Sequence, residues 1–289
     1  MSDTVLYDVQ GPKARRRVLV LSLVGLLVLV GLAALAAVRL NENGQFEPRL
    51  YEPFYTEPLL WKRIGEGLLN TLKAAAYALV LALLLGIVLA FGRLSHRAFV
   101  RVPAIAVVEF FRATPLLLLI LFFFLAFPLA FDIRLEPIWA LVLGLTLYNG
   151  SVIAEIIRAG VLSLPKGQTE AALAIGLSRG QLLRIVLLPQ AVRIMLPALI
   201  SQLVVLLKDT SLGFVVNFEE VLRTGNQLVQ VLDNPIQFYV LIALIFITIN
   251  LALSRLATWI EGRQRRRLGT SLPAGRGAAG MEQGGAPAA

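Results

Sequence analysis

Six long apolar runs divide this chain, and no other feature restricts its fold so strongly. About 20 apolar residues in a helix cross the hydrocarbon core of a bilayer, where the backbone must satisfy its own hydrogen bonds. Only 16% of the 289 residues are charged, whereas soluble domains carry about a quarter. We therefore predict an all-α integral membrane protein with six transmembrane helices. The predicted spans are residues 18–38, 67–92, 115–131, 138–156, 192–207 and 238–260.

The first apolar run follows a basic segment, a pattern that signal peptides share. Lys13, Arg15, Arg16 and Arg17 precede it, but the run is longer than the apolar region of a signal peptide. We therefore interpret residues 18–38 as a retained, additional N-terminal helix. It separates a polar tail, residues 1–17, from a polar extracytoplasmic loop, residues 39–64.

The distribution of Lys and Arg between alternate loops predicts the orientation. Fifteen lie within residues 1–17, 93–101, 158–190 and 261–267, and six lie in the loops on the opposite faces. Because cytoplasmic loops are enriched in Lys and Arg, both termini and the loop 164–190 are predicted to be cytoplasmic. The net charge of +9 then reflects topology and contact with anionic membrane lipid, and it needs no nucleic-acid partner.

The residues that are missing exclude several kinds of chemistry. The chain has no cysteine and a single histidine, His96, so it offers no disulfide framework and no Cys-based metal site. It also lacks the G-x-x-x-x-G-K-[ST] loop that binds nucleotide phosphates. We predict no catalytic residue, no metal site and no bound cofactor. If ATP drives this protein, a separate chain must hydrolyse it.

The segment from 164 to 190 is neither a membrane span nor a simple tail. Pro165 is placed to start a helix, and Gly176 suits the position just after its end. Ser178 and Gln181 have the spacing of a capping box, which predicts a second helix that Pro189 must end or kink. The local pattern predicts a compact helix–turn–helix, which on its own could be only a linker between two spans.

The same segment carries a recognisable motif. It reads Glu-Ala-Ala at 170–172, three residues, Gly176, nine residues, and then Val-Leu-Leu-Pro. Related motifs occur at 70–73 (NTLK), 109–115 (EFFRATP), 148–151 (YNGS), 154–158 (AEIIR), 164–168 (LPKGQ) and 208–212 (KDTSL). Together, over residues 65–260, they resemble the permease subunits of ATP-binding-cassette (ABC) importers. The similarity is to the polar amino acid branch, and within it to the glutamate-type permeases.

This resemblance implies a type I importer permease fold, with a MetI-like core of five helices at 65–260 after the additional helix. It also implies that the loop 164–190 holds the coupling helix, which docks on a partner ATPase. The docking residues would be Glu170, Ala171, Ala172, Gly176, Leu177 and Ser178.

The resemblance implies an assembly as well. Two permease subunits would surround one path above a cytoplasmic ABC ATPase dimer that binds ATP and Mg²⁺. The second permease is expected to be a paralogue rather than a copy, and an extracytoplasmic binding protein would deliver an amino acid such as glutamate. The expected location is a bacterial cell membrane. Alternatives are another polar solute on the same machinery, or an ion-coupled secondary transporter, although no repeated halves with broken helices are evident.

Charged residues near the spans are candidates for the substrate path, because such groups are costly to bury in a membrane. An amino acid carries an ammonium and a carboxylate, so the path needs both signs of charge. Arg112, Glu155, Lys208 and Asp209 could supply them, and Thr114 lies beside Arg112. The spacing also allows simple interfacial pairs, Glu109 with Arg112 and Glu155 with Arg158. Leu116–Leu119 replace a Gln that relatives commonly have shortly after the Thr-Pro segment.

Other polar residues are given structural interpretations. Asn70, Thr71 and Lys73 are expected at the start of a helix. Glu219, Glu220 and Arg223 are expected on a solvated helix face, with contact to a substrate-binding protein as the alternative. Irregular backbone is expected after Asp209, and close helix packing at Gly86, Gly144 and Gly150. The basic, then Gly/Ala-rich, tail at 261–289 is predicted to be disordered after Leu268.

Overall fold

A computed structural model describes residues 11–268 of the chain, and within that range it contains helices and no strand. The chain divides into two compact units, Met1–Leu60 and Trp61–Ala289. The first unit holds α1 (Pro12–Glu42), a 3₁₀ turn (Pro48–Leu50) and α2 (Pro53–Thr56). The predicted first span lies inside α1. The predicted disorder after Leu268 and the first ten residues of the N-terminal tail lie outside the described residues.

The second unit carries the remaining helices. In its first half they are α3 (Pro58–Leu94, which begins in the first unit), α4 (Ala98–Ala113), α5 (Leu116–Leu121), a π-helical turn (Phe122–Ala126), α6 (Phe127–Phe131) and α7 (Pro137–Leu162). In its second half they are α8 (Lys166–Ala174), α9 (Arg179–Gln181), a π-helical turn (Leu182–Leu187), α10 (Leu188–Asp209), a 3₁₀ segment (Thr210–Val216), α11 (Val221–Leu232) and α12 (Pro235–Leu268).

Five helices of the described chain are long and apolar enough to cross a membrane, and a bent pair of helices is a sixth candidate span when its two arms are counted as one. The pair is α4 followed by Leu116–Phe131, and the helix direction bends by 100° between them. The bend falls at Thr114, whose backbone is extended, because a proline disfavours helical geometry in the residue before it. The predicted third span is the second arm of this pair.

Helix α7 forms the centre of the second unit, and most of its buried side chains are apolar or small. At its middle it packs very closely on α3. A Cβ added to Gly150 would lie 2.9 Å from Leu85 Cδ2, and one added to Gly86 would lie 2.9 Å from the Gly150 carbonyl oxygen. Added to Gly144, a Cβ would lie 2.7 Å from Ile120 Cγ1. The close packing predicted at these glycines is confirmed.

Helices α7 and α10 run antiparallel, which defines two ends of the bundle. Gly160 of α7 lies against Met195 near the start of α10, and Leu141 lies against Gly213 just after its end. Between them, Gln202 Nε2 donates a hydrogen bond of 2.7 Å to Asn149 Oδ1. We call the end that holds α8 the coupling-loop end, and the end that holds the start of α11 the opposite end.

Candidate functional site

The turn after α8 is built by Gly176. Its φ of +84° lies in the left-handed region, which glycine adopts without strain. The Gly176 N–H donates to the Leu173 carbonyl at 3.0 Å, and the Leu177 N–H donates to the Ala172 carbonyl at 3.1 Å. These two bonds form a Schellman motif, so the predicted helix end at Gly176 is confirmed. A Cβ on Gly176 would meet no atom within 4 Å, so backbone conformation requires the glycine and lack of space does not.

The helix restarts at once through the predicted capping box. The Ser178 N–H donates to Gln181 Oε1 at 2.9 Å, and Ser178 Oγ accepts from the Gln181 N–H at 3.4 Å. The predicted second helix therefore begins as expected, but it does not end at Pro189. The chain continues from Arg179 through the π-helical turn and past Pro189 into α10 without a break. Pro189 has no N–H to donate, and in a regular α-helix its ring would clash with the carbonyl four residues earlier. The wider π-helical turn accommodates it.

A small apolar cluster fixes this turn to the bundle. Ala172 of α8 is buried with Val161 of α7, with Leu182 and Leu187 of the π-helical turn, and with Ala191 at the start of α10. Leu177 packs against the same cluster and is half-buried. The cluster therefore joins α8 to the ends of two membrane-spanning helices through close packing.

The outer surface of the turn is free of intramolecular cover. Glu170, Ala171, Gly176 and Ser178 are exposed, and Ile175, at the tip, has 79% of its surface exposed. Of the six predicted coupling residues, Ala172 and Leu177 thus face the bundle and four face outward. Ile175 was not among them. The available signal was a large apolar residue directly before a helix-ending glycine.

Two polar contacts also hold the segment. The Arg179 guanidinium lies against the imidazole of His96, with Nη1 3.0 Å from Nδ1, and so joins α9 to the α3–α4 turn. Gln190 Nε2 donates to the Val186 carbonyl at 2.9 Å and reaches Gln168 Oε1 of α8 at 3.4 Å. His96, the single histidine, therefore contacts the segment 164–190. Its position in a basic loop did not predict this contact.

A network of charges lies at the same end of the bundle. The predicted pairs are formed: Arg112 Nη1 lies 3.7 Å from Glu109 Oε1, and Arg158 Nε donates to Glu155 Oε1 at 3.1 Å. Arg93 was predicted to lie in the loop after the second span, and that prediction is wrong because α3 extends to Leu94. Its side chain is only 9% exposed, and Nη1 lies 3.0 Å from Glu109 Oε1 and 3.2 Å from Glu155 Oε2.

Arg93 therefore ties together α3, α4 and α7 through two carboxylates. Each carboxylate also has a second guanidinium from its own helix, so charges of both signs are compensated within the network. Arg93 lies in the last turn of α3, where the helix dipole favours a cation. Its Nε is buried without a hydrogen-bond partner. No local spacing could reveal these contacts, because they join residues distant in sequence.

The candidate path residues do not form one cluster. Arg112 and Glu155 belong to the network at the coupling-loop end, whereas Lys208 and Asp209 lie at the C-terminal end of the antiparallel α10. Thr114 Oγ1 donates to its own helix, to the Phe110 carbonyl at 2.8 Å. The backbone after Asp209 forms a 3₁₀ helix, so the predicted irregular break is wrong. Lys208 borders an open groove of about 630 Å³ against α12.

At the opposite end, Glu220 is fully buried, which corrects the expectation of a solvated face. Its carboxylate caps α11 by accepting the N–H groups of Leu222 at 2.8 Å and Arg223 at 2.6 Å. Burial raises the pKa of Glu220 to about 7, although these two hydrogen bonds favour the ionised form. Glu219, its neighbour, is exposed.

The polar residues of α3 contact this capped helix. Asn70 Nδ2 donates to the Glu219 carbonyl at 3.0 Å, and Thr71 Oγ1 accepts the Val221 N–H at 3.2 Å. Asn70 and Thr71 do not start a helix as expected, because α3 begins at Pro58. Pro58 provides the preferred first residue of a helix, and the polar residues are then free to face α11.

Comparison with known proteins identifies the family. Residues 82–266 match the family described as "Binding-protein-dependent transport system inner membrane component". The chain belongs to this family. It is 42% identical over 244 residues to the glutamate transport system permease protein GluD of Corynebacterium glutamicum, covering 81% of this chain and 88% of GluD. It is 35% identical over 201 residues to the glutamine transport system permease protein GlnP of Escherichia coli K12, covering 69% and 92%.

A solved structure supports the same permease fold. The one titled "Crystal structure of an amino acid ABC transporter with histidines" matches with a TM-score of 0.67 and 30% identity, covering 70% of this chain and 94% of that chain. The predicted all-α, multi-pass, MetI-like fold is therefore confirmed. The family match includes the coupling segment and the Arg93 network but begins after the first half of α3.

Proposed function

We propose that this permease subunit carries glutamate or a closely related polar amino acid into a bacterial cell. Its relatives GluD and GlnP are named for glutamate and glutamine transport, which supports this substrate class. In this assignment the termini and the coupling-loop end lie on the cytoplasmic side, as the excess of Lys and Arg at that end indicates. The chain supplies half of the path, with a second, paralogous permease supplying the other half.

We further propose that the turn at Ile175–Ser178 docks on a separate ABC ATPase dimer, which would hold ATP and Mg²⁺. The observation that carries this proposal is the shape of the turn. The Ile175 side chain and the backbone at Gly176 are exposed at the tip, whereas Ala172 and Leu177 pack against the bundle and hold the turn in place. A large apolar residue that is almost fully exposed on a rigid support is typical of a protein–protein contact.

The mechanism follows from the packing behind the turn. When ATP draws the two ATPase subunits together, α8 moves with them, and the apolar cluster passes the displacement to α7 and α10. The Arg93 network makes α3 and α4 follow, because the two carboxylates hold three helices at that end. The helices then rock as rigid bodies and open the path toward the extracytoplasmic binding protein. This chain makes and breaks no covalent bond.

Co-purification in mild detergent tests the docking proposal. We expect the ATPase to accompany the native chain and to be lost from Gly176→Asp, Ile175→Asp and Glu170→Lys. Gly180→Asp is the matched control, because Gly180 is an exposed glycine of the same segment with ordinary backbone and open space around it. Retention of the ATPase by folded Ile175→Asp and Gly176→Asp variants would contradict the proposal.

A further inference from the structure

A polar pocket of about 450 Å³ lies at the opposite end of the bundle, between α3 and the start of α11. Its volume is within the range of small-molecule sites, about 300–1,000 Å³. Its lining includes Arg63, Glu66, Asn70, Lys73, Glu219 and Thr224. The pocket is separate from the Arg93 network and from the groove beside Lys208, and neither the family match nor the coupling mechanism accounts for it.

The charges of this pocket are not compensated within the described chain. Arg63, Glu66, Lys73 and Glu219 take part in none of the ion pairs formed by the described residues. The contrast with the Arg93 network is direct, because there every carboxylate has two guanidinium partners. Two cations and two carboxylates that remain unpaired around one cavity can bind a ligand with charges of both signs.

The walls of the pocket are held in place by the contacts between α3 and α11. Asn70 Nδ2 bonds the Glu219 carbonyl and Thr71 Oγ1 accepts the Val221 N–H, so the two walls are joined by hydrogen bonds. Gly67 lets them approach closely, since a Cβ there would lie 2.7 Å from Thr224 Oγ1. The buried carboxylate of Glu220 fixes the start of α11 below them. A pocket held in this way is formed before any ligand arrives, which lowers the cost of binding.

The order of charges along α3 suits one class of ligand. Arg63 and Lys73 are separated by ten residues, about 15 Å along the helix axis, and Glu66 lies between them. The long side chains of the two cations can reach toward each other along the pocket. An acidic amino acid has two carboxylates separated by a few bonds, with an ammonium near one of them. Its carboxylates match the two cations, and its ammonium matches Glu66 or Glu219.

We propose that this pocket is an entry site that binds an acidic α-amino acid at the extracytoplasmic mouth of the permease. Arg63 and Lys73 bind the two carboxylates, and Glu66 and Glu219 bind the ammonium. The proposal rests on the proposed function, because an importer meets its amino acid at this end. It adds a site within the permease itself, so that the amino acid leaving the binding protein is held before it enters the path.

The test is binding of L-glutamate to the permease–ATPase complex in lipid nanodiscs without binding protein, measured by calorimetry. We expect saturable binding of L-glutamate. Lys73→Gln and Glu66→Gln should each lower the affinity by about 10-fold or more, because each removes one charge-assisted contact. Lys62→Gln is the matched control, because Lys62 is an exposed cation of the same helix outside the pocket. L-leucine, which lacks the second carboxylate, is expected to bind at least 10-fold more weakly than L-glutamate.

Two results would contradict the proposal that the pocket binds glutamate. One is the absence of glutamate binding by the native complex at millimolar concentration, and the other is binding that Lys73→Gln and Glu66→Gln leave unchanged. If these variants instead weaken only the association with the binding protein, the pocket is a protein docking site and the proposal is wrong. ATP-driven glutamate uptake by the complete system is measured in parallel. If the system takes up glutamate but the pocket does not bind it, the pocket proposal fails and the proposed function stands. If the system takes up no glutamate, the proposed function itself is contradicted.

Discussion

The two ends of the bundle use charge in opposite ways. At the coupling-loop end, Arg93, Glu109 and Glu155 are paired with one another and with Arg112 and Arg158, while the exposed tip of the loop is the apolar Ile175. At the opposite end, charged side chains surround a cavity without forming ion pairs in the described chain, and one carboxyl group is buried alone as a helix cap. Charge stabilises the helix arrangement at the first end and remains available to a ligand at the second.

The comparison also explains why ionisable residues in membrane segments are ambiguous functional candidates. Arg112 and Glu155 were proposed for the substrate path because they are costly to bury, yet their neighbours already neutralise them. A charged residue that its own chain leaves unpaired is more readily available to a substrate, because no internal ion pair has to be broken first.

Replacing Arg93 by Met should produce the largest loss of stability. The change leaves Glu155 and Glu109 without their shared partner inside a mostly buried network. Removing one member of a buried ion pair lowers the free energy of unfolding by about 3–5 kcal/mol. We expect a smaller loss here, about 2–3 kcal/mol, because the Glu109 side chain is 56% exposed and water can solvate it. Thermal unfolding in detergent measures the effect, with the exposed Arg97→Met as control. Equal melting temperatures for the two variants would show that the network does not hold the helices together.

Glu220 should make the opposite end more stable at low pH than at high pH. Burial raises its pKa in the folded protein from 4.5 to about 7, so between these values the folded state keeps a proton that the unfolded state releases. Stability therefore falls as pH rises through this window, by no more than about 3 kcal/mol, and the loss is complete above the folded pKa.

The measurement is the melting temperature at pH 5 and pH 8 for the native chain and for Glu220→Gln. Glutamine keeps an oxygen that accepts the capping N–H groups but carries no titrating proton. We expect the drop between the two pH values to be smaller in the variant. A drop of the same size in both proteins would mean that another group causes it.

Gly176→Ala should destabilise the coupling loop by about 1–2 kcal/mol, because alanine is strained at a φ of +84°. Gly167→Ala is the matched control, since Gly167 also has open space around it but ordinary helical backbone in α8. There alanine should be neutral or slightly stabilising. Proteolysis rates at the loop compare the two variants, and faster cleavage of the Gly167 variant would reverse our interpretation of the turn.

Ser178→Ala should have the smallest effect, about 1 kcal/mol, because it removes one half of the capping box with Gln181. Hydrogen exchange of the backbone at Arg179–Gln181 should accelerate. Ser201→Ala, an exposed serine inside α10, is expected to leave exchange unchanged. Unaltered exchange in the Ser178 variant would show that the packing of Leu182, and not the cap, starts this helix.

The fold and the coupling turn could be predicted from the sequence because their signals are local. Apolar run lengths gave the spans, and Gly176, Ser178 and Gln181 gave the turn and the restart of the helix. The helix end expected at Pro189 does not occur, because the effect of this proline depends on whether a π-helical turn can form before it. The roles of Arg93 and Glu220 were missed because each depends on contacts that only the folded chain makes. Arg93 meets Glu155 of a distant helix, and α3 covers the cap that Glu220 forms.

The most direct test of this account is uptake of labelled L-glutamate by proteoliposomes that contain the permease pair, the ATPase and the binding protein. The account predicts uptake that requires ATP, is unaffected by Gly180→Asp, and is abolished by Ile175→Asp although the variant folds and inserts. Uptake that proceeds without ATP or ATPase, driven by an ion gradient through this chain alone, would contradict the central claim.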